Sequence, residues 1–203
     1  NNAISVNAGG GDDTVAILLK DSASLIMDND IIANGEAGAD DIDVTLSAID
    51  GGNHGHVTSN SIQVDGGAGA DTLDVNIYAD HSAVENDVVV IGGAGIDNID
   101  INIGAIDTAN VVSSNVISNN LLVKGGDDAD SLDINLIGEA VKDNMLMIDG
   151  GAGDDAEMDI LLRASNTASD NVIRAVGRGG DDTIDLTISA LSADVVENKA
   201  ELN

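Results

Sequence analysis

The sequence has no cysteine, proline, phenylalanine or tryptophan, and Tyr78 is its single tyrosine. Without cysteine there are no disulfides and no thiolate metal sites, so any covalent-like staple is of another kind. Without large aromatics, a core is filled by Ile, Leu, Val, Met and Ala, which stack in regular layers rather than plugging an irregular interior. The same lack leaves no aromatic platform for a sugar-stacking groove. Basic residues are few: 7 Lys and Arg stand against 37 Asp and Glu, a formal charge of -30. That balance excludes the clustered cations needed to bind nucleic acid or anionic membrane, and it predicts attraction for cations. No apolar run approaches the roughly 18 residues of a membrane span, and the N-terminus has no signal-peptide pattern, so no direct membrane insertion is expected.

Glycine is plentiful, with 24 residues, and it recurs within a repeat. An asparagine opens each unit: Asn2, Asn29, Asn60, Asn86, Asn119, Asn144, Asn171 and Asn198. Eleven residues after each of the first seven stands an aspartate: Asp13, Asp40, Asp71, Asp97, Asp130, Asp155 and Asp182. The interval from Asn to Asn varies from 25 to 33 residues, while the interval from Asn to Asp does not. Insertions therefore fall in the connection that ends each unit. The whole chain, 1–203, reads as one continuous array of seven units and a partial eighth from 198. Both ends lie inside the repeat, which predicts a segment of a longer protein or polymer.

Apolar residues alternate twice within a unit, as in Ile62 and Val64 before the glycines and Leu73, Val75 and Ile77 after the aspartate. A period of two over short branched runs predicts half-buried strands. The sixth unit needs one extra residue near Ala156 to bring Met158, Ile160 and Leu162 into phase, which predicts a bulge there. A unit of two strands cannot bury its apolar side alone, so successive units stack. The fold class is therefore all-β, a right-handed parallel β-solenoid or β-roll of about seven coils, with two main strands each and little or no helix. The longest connections run from Ile49 to Ser59 and from Ile106 to Ser118. The second, with Val111-Val112 and Val116-Ile117, has room for a short third strand.

The turn between the two strands reads Gly66-Gly67-Ala68-Gly69-Ala70-Asp71 in unit three and Gly92-Gly93-Ala94-Gly95-Ile96-Asp97 in unit four. Unit six has Gly150-Gly151-Ala152-Gly153-Asp154-Asp155. This pattern resembles the nonapeptide of the repeats-in-toxin (hemolysin-type calcium-binding) family. The resemblance implies a parallel β-roll with Ca²⁺ ions in a row between adjacent coils. It also implies the ligands, namely the carboxylates of Asp13, Asp40, Asp71, Asp97, Asp130, Asp155 and Asp182 with turn carbonyls. Those turns carry Gly35, Gly66, Gly67, Gly69, Gly92, Gly93, Gly95, Gly125, Gly126, Gly150, Gly151, Gly153 and Gly177. Ca²⁺ takes six to eight oxygens in loose geometry, and glycine lets carbonyls turn inward. Here the motif occurs once per coil, which predicts one calcium row along one edge. Unit one departs from the pattern at Ala8, unit two at Glu36, unit five at Asp127 and Asp128, and unit seven at Arg178. A turn that closes each coil without metal is the competing reading. Against it, carboxylates stacked about 5 Å apart repel by roughly 1 kcal/mol per pair in water and about 3 at an effective dielectric near 20.

A second acidic column stands three residues further on, at Asp43, Asp74, Asp100, Asp133, Asp159 and Asp185, with Ala16 in unit one. It is read either as a solvated face that blocks sideways aggregation or as a second calcium row. The asparagines are read as a structural ladder. His54 and His56 would face the same way in an extended loop, where two ligands make a weak metal site. His81 has no partner in sequence. No His-Glu-x-x-His, nucleophile elbow or Walker loop occurs, and no catalytic residue is assigned.

These features predict a non-enzymatic, calcium-stabilised structural or adhesive segment of an extracellular bacterial surface or matrix protein. Self-association end to end or side by side, and contact with a cell surface or matrix, are the expected partners. The alternative is the calcium-binding module of a secreted enzyme such as a protease, lipase or alginate epimerase. Export by type I secretion is implied by the resemblance.

Overall fold

Branched residues at spacing two form strands, and the strands stack coil upon coil. The computed structural model describes residues 2–21, 25–49, 54–104, 115–155, 157–192 and 194–203. It is a parallel β-solenoid of about seven turns with no helix among these residues. The first strands of the units form one parallel sheet of eight: Ala3–Gly10, Asp30–Ala37, Ser61–Ala68, Asp87–Ala94, Asn120–Asp127, Met145–Ala152, Val172–Gly179 and Lys199–Leu202. The second strands form the other sheet: Thr14–Asp21, Asp41–Ala48, Thr72–Ala79, Asn98–Gly104, Ser131–Lys142, Glu157–Ser169 and Ile184–Ala190.

The core lies between the sheets and consists of the alternating residues. Ile31, Ala33, Ile62, Val64, Leu73, Val75, Ile77, Ile99, Ile101 and Ile103 are all buried, and equivalent positions pair in register from coil to coil. In the sixth unit Glu157 pairs with Ser131 and Met158 with Leu132, so Met158, Ile160 and Leu162 do return to the core. Ala156, where the sequence places the bulge, lies outside the described residues. Ala200 and Leu202 keep the inward register of Ile173 and Ala175 but are exposed.

The coils have the two main strands that the sequence predicts. A third, short strand closes the coil, at Leu25–Met27, His56–Thr58, Ser82–Val84, Asn115–Ile117 and Val195–Val196. In the fifth and sixth units it continues the second strand without a break. The first four present an inward apolar residue, Ile26, Val57, Ala83 and Val116, whereas Val195 and Val196 are both exposed. A single apolar residue carries no period, which is why the sequence signals this strand only in its longest connection. Val111 and Val112 lie outside the described residues.

A left-handed residue follows each third strand, immediately before the asparagine. Asp28, Ser59, Glu85, Ser118, Asp143, Asp170 and Glu197 have φ between 53° and 59°. The N–H groups of the first six donate to the next coil, as Glu85 N does to Ile117 O at 3.1 Å. This reversal aims the chain back into the first sheet.

Candidate metal column in the glycine turns

The asparagine column is a hydrogen-bonded ladder. Asn86 Oδ1 accepts from Asn60 N at 3.2 Å and from Asn60 Nδ2 at 2.9 Å. Asn86 Nδ2 in turn donates to Asn119 Oδ1 and to Val57 O, both at 3.0 Å. The side chain thus binds its own column to the third strand of the preceding coil. The same pattern runs from Asn60 to Asn171. Every amide is buried and satisfied, so nothing is left for a ligand.

The aspartate column is half of such a ladder. Asp71 Oδ1 accepts the main-chain N–H of Asp40 at 2.8 Å, and Asp97 Oδ1 accepts that of Asp71 at 2.9 Å. The chain of bonds runs on through Asp130 and Asp155 to Asp182. A carboxylate has no N–H to return, so the other oxygen stays unpaired. Oδ2 of Asp13, Asp40, Asp71, Asp97, Asp130 and Asp155 is buried with no hydrogen-bond partner. Buried polar atoms are normally satisfied, and here six carboxyl oxygens in a column are not.

The first glycine of the motif makes room for them. A Cβ on Gly66 would stand 2.5 Å from Asp71 Oδ2 and 2.7 Å from the Gly92 carbonyl oxygen. Gly35, Gly92 and Gly125 meet the same two groups, while Gly150 and Gly177 meet the carboxylates of Asp155 and Asp182. The second and fourth glycines, among them Gly67, Gly69, Gly93, Gly95, Gly126, Gly151 and Gly153, have φ between 104° and 151°. Their carbonyls point at the following coil: Gly67 O faces the Cα of Gly93, and Gly69 O that of Gly95. First-position carbonyls point back toward the preceding coil. At Gly35, Gly66, Gly92 and Gly125 the unpaired carboxylate oxygen and the first-position carbonyl of the next coil therefore approach the same point. That donor set fits Ca²⁺. Where the motif departs from glycine, the backbone still turns left-handed, at Glu36 (φ 77°), Asp128 (φ 74°) and Arg178 (φ 90°). Arg178 Nε also pairs with Asp149 Oδ1 at 2.5 Å.

Burial pushes these carboxyls up from the ordinary range. Asp130 is raised to about 7 and Asp97 to about 6, by burial first and then by the neighbouring aspartates, while the N–H bond each accepts works the other way. Asp71 and Asp155 are raised for the same reasons.

The outer column of Asp43, Asp74, Asp100, Asp133, Asp159 and Asp185 aligns in register along the second sheet. Asp43 and Asp133 accept from neighbours on their own strands, Thr45 Oγ1 and Asn135 Nδ2, each at 2.8 Å. Asn135 and Asn102 also link coil to coil, with Asn102 Nδ2 donating to Asn76 Oδ1 at 3.1 Å. Burial and the flanking aspartates raise Asp74 and Asp133. This face is a polar network with no orphaned buried atom, unlike the inner column. Among the described residues, no three His, Asp or Glu side chains are gathered closely enough to hold a metal by themselves.

The fold and its turns define a parallel β-solenoid repeat protein with an internal column of carboxylates. No family model, no curated protein and no solved structure matches the chain. No helix of the described residues is long and apolar enough to cross a membrane.

Proposed function

We propose that the chain is a calcium-stabilised structural or adhesive segment of an extracellular bacterial surface or matrix protein. The observation that carries this reading is the column of six buried carboxylate oxygens without partners, walled by turn carbonyls. Asp13, Asp40, Asp71, Asp97, Asp130, Asp155 and Asp182 would hold the ions with carbonyls of the adjacent turns. A bound divalent cation supplies the positive charge that the column lacks. The chain contributes the rest: the Oδ1 bonds orient each carboxylate, the first glycine seats it, and the aliphatic core excludes water.

The function follows from charge. A net charge of -30 keeps the chain open where calcium is scarce. Where calcium is abundant, each site that binds only the folded chain adds about 2.7 kcal/mol at a hundredfold excess over its dissociation constant. Several such sites match the whole stability of an ordinary domain. The rod then assembles outside the cell and bears load along its stacked coils.

A second reading is favoured by the Oδ1 bonds and the raised proton affinity: a metal-free ladder of neutral carboxyls. Circular dichroism during a calcium titration from excess EGTA at pH 7.5 separates the two. The calcium reading expects β-structure to appear with several ions bound per chain. Full β-structure in EGTA with no calorimetric binding supports the metal-free ladder instead.

A further inference from the structure

Away from the turns, stacking brings together two histidines from adjacent coils. The rings of His56 and His81 stand 4.7 Å apart, centre to centre, inclined at 69°. His56 Nδ1 lies 2.6 Å from Ser82 Oγ, and Ser82 is buried. The backbones are tied to each other as well. The Gly55 carbonyl accepts from His81 N at 2.9 Å and Ser82 N at 3.2 Å, while Gly55 N donates to Asp80 Oδ1 at 2.5 Å. Backbone bonds therefore hold the two residues side by side, and the Ser82 contact fixes the His56 ring, while the His81 ring is exposed.

We propose that His56 and His81 form a two-imidazole site for a borderline divalent transition ion, Zn²⁺ or Cu²⁺, separate from the oxygen-lined column. Three observations carry it. First, a hydrogen bond at Nδ1 is the usual outer-shell device that leaves Nε2 as the ligand atom and fixes its direction. Ser82 provides that bond to His56. Second, the spacing suits a shared ion once the exposed His81 ring turns its Nε2 toward the point that His56 Nε2 faces. Metal–nitrogen bonds are about 2.0–2.1 Å and the ring centre lies about 1.1 Å further out, so rings 4.7 Å apart in that orientation subtend about 95° at the ion. That angle falls between square-planar and tetrahedral coordination, with water filling the remaining positions. Third, imidazole nitrogen prefers Zn²⁺ and Cu²⁺, whereas Ca²⁺ takes oxygen, so the two kinds of site do not compete. The acidic field of the whole rod concentrates either cation at its surface. The site does not depend on the calcium reading, because it uses neither the turns nor their carboxylates.

The test is calorimetric titration of the whole chain with Zn²⁺ in a large excess of Ca²⁺, which saturates carboxylate sites. One Zn²⁺ per chain is expected, with affinity falling at least about tenfold in His56→Gln and in His81→Gln. Far-UV circular dichroism of both variants should match the parent. Should a variant unfold, the parent alone decides: its Cu²⁺ complex should show two nitrogen ligands by electron paramagnetic resonance. No Zn²⁺ uptake in excess Ca²⁺, equal uptake by both folded variants, or a copper spectrum without nitrogen ligands would overturn the proposal.

Discussion

Asp130 donates its main-chain N–H to Oδ1 of Asp155 one coil along, at 3.0 Å, and its own Oδ1 accepts from Asp97 N at 2.9 Å. Its Oδ2 is buried and unpaired. One side chain thus holds the stack together through one oxygen and strains it electrostatically through the other.

That conflict predicts how stability depends on pH. The folded values of about 7 for Asp130 and about 6 for Asp97 lie above the ordinary aspartate value of 3.8. The folded chain therefore binds more protons than the unfolded chain between about pH 4 and 7. Stability is greatest at the acid end of that window and is lost as pH rises through the folded values. In calcium-free buffer, Tm should drop by roughly 5 °C or more from pH 4.5 to 7.5. Thermal melts in EGTA check this, and a Tm that climbs over that range contradicts it.

Asp71→Asn keeps the Oδ1 acceptor for Asp40 N and removes the charge. Without calcium it should stabilise the fold by about 1 kcal/mol, since a buried like charge is removed from the column. With calcium it should bind fewer ions than the parent. Asp71→Ala also orphans Asp40 N and should cost about 1–3 kcal/mol. Urea melts with and without calcium distinguish the three proteins.

Asn119 is 1 % exposed and joins both neighbouring coils. Its Oδ1 accepts from Asn86 N and Nδ2, and its Nδ2 donates to Asn144 Oδ1 and Ala83 O. Asn119→Ala leaves several of these groups buried and unpaired and should cost about 3 kcal/mol or more. Native-state hydrogen exchange should show protection lost first in units four to six.

Glycine positions should respond in opposite directions. Glu36→Gly relieves a left-handed residue and should stabilise by about 1 kcal/mol. Gly93→Ala drives a Cβ into the Gly67 carbonyl and should destabilise by about 2 kcal/mol or more. Denaturant midpoints of the two variants should move apart. A neutral Gly93→Ala would mean the turn can relax as a unit.

Much of this was legible in the chain because each coil repeats the same local problem. Ile99, Ile101 and Ile103 reveal their strand by period alone, and Asn86 and Asp97 mark its fixed edge by an interval that never varies. Apart from Asn115–Ile117, the third strands were not legible, because a residue such as Val57 is one inward residue in a stretch of three. Nor was the left-handed column at Glu85 and its equivalents, where Asp, Ser and Glu stand in place of the glycine that usually signals positive φ. His81 joined His56 only through the register of two connections of unequal length.

The sequence by itself therefore determined the solenoid, its core and the two ladders, since periodicity and exact spacing are one-dimensional properties that stacking preserves. Only the tertiary structure decided how each ladder is bonded. Asparagine carries both a donor and an acceptor and closes its ladder completely. Aspartate in the same kind of column accepts through one oxygen and buries the other unpaired, and that difference appears only when neighbouring coils come together.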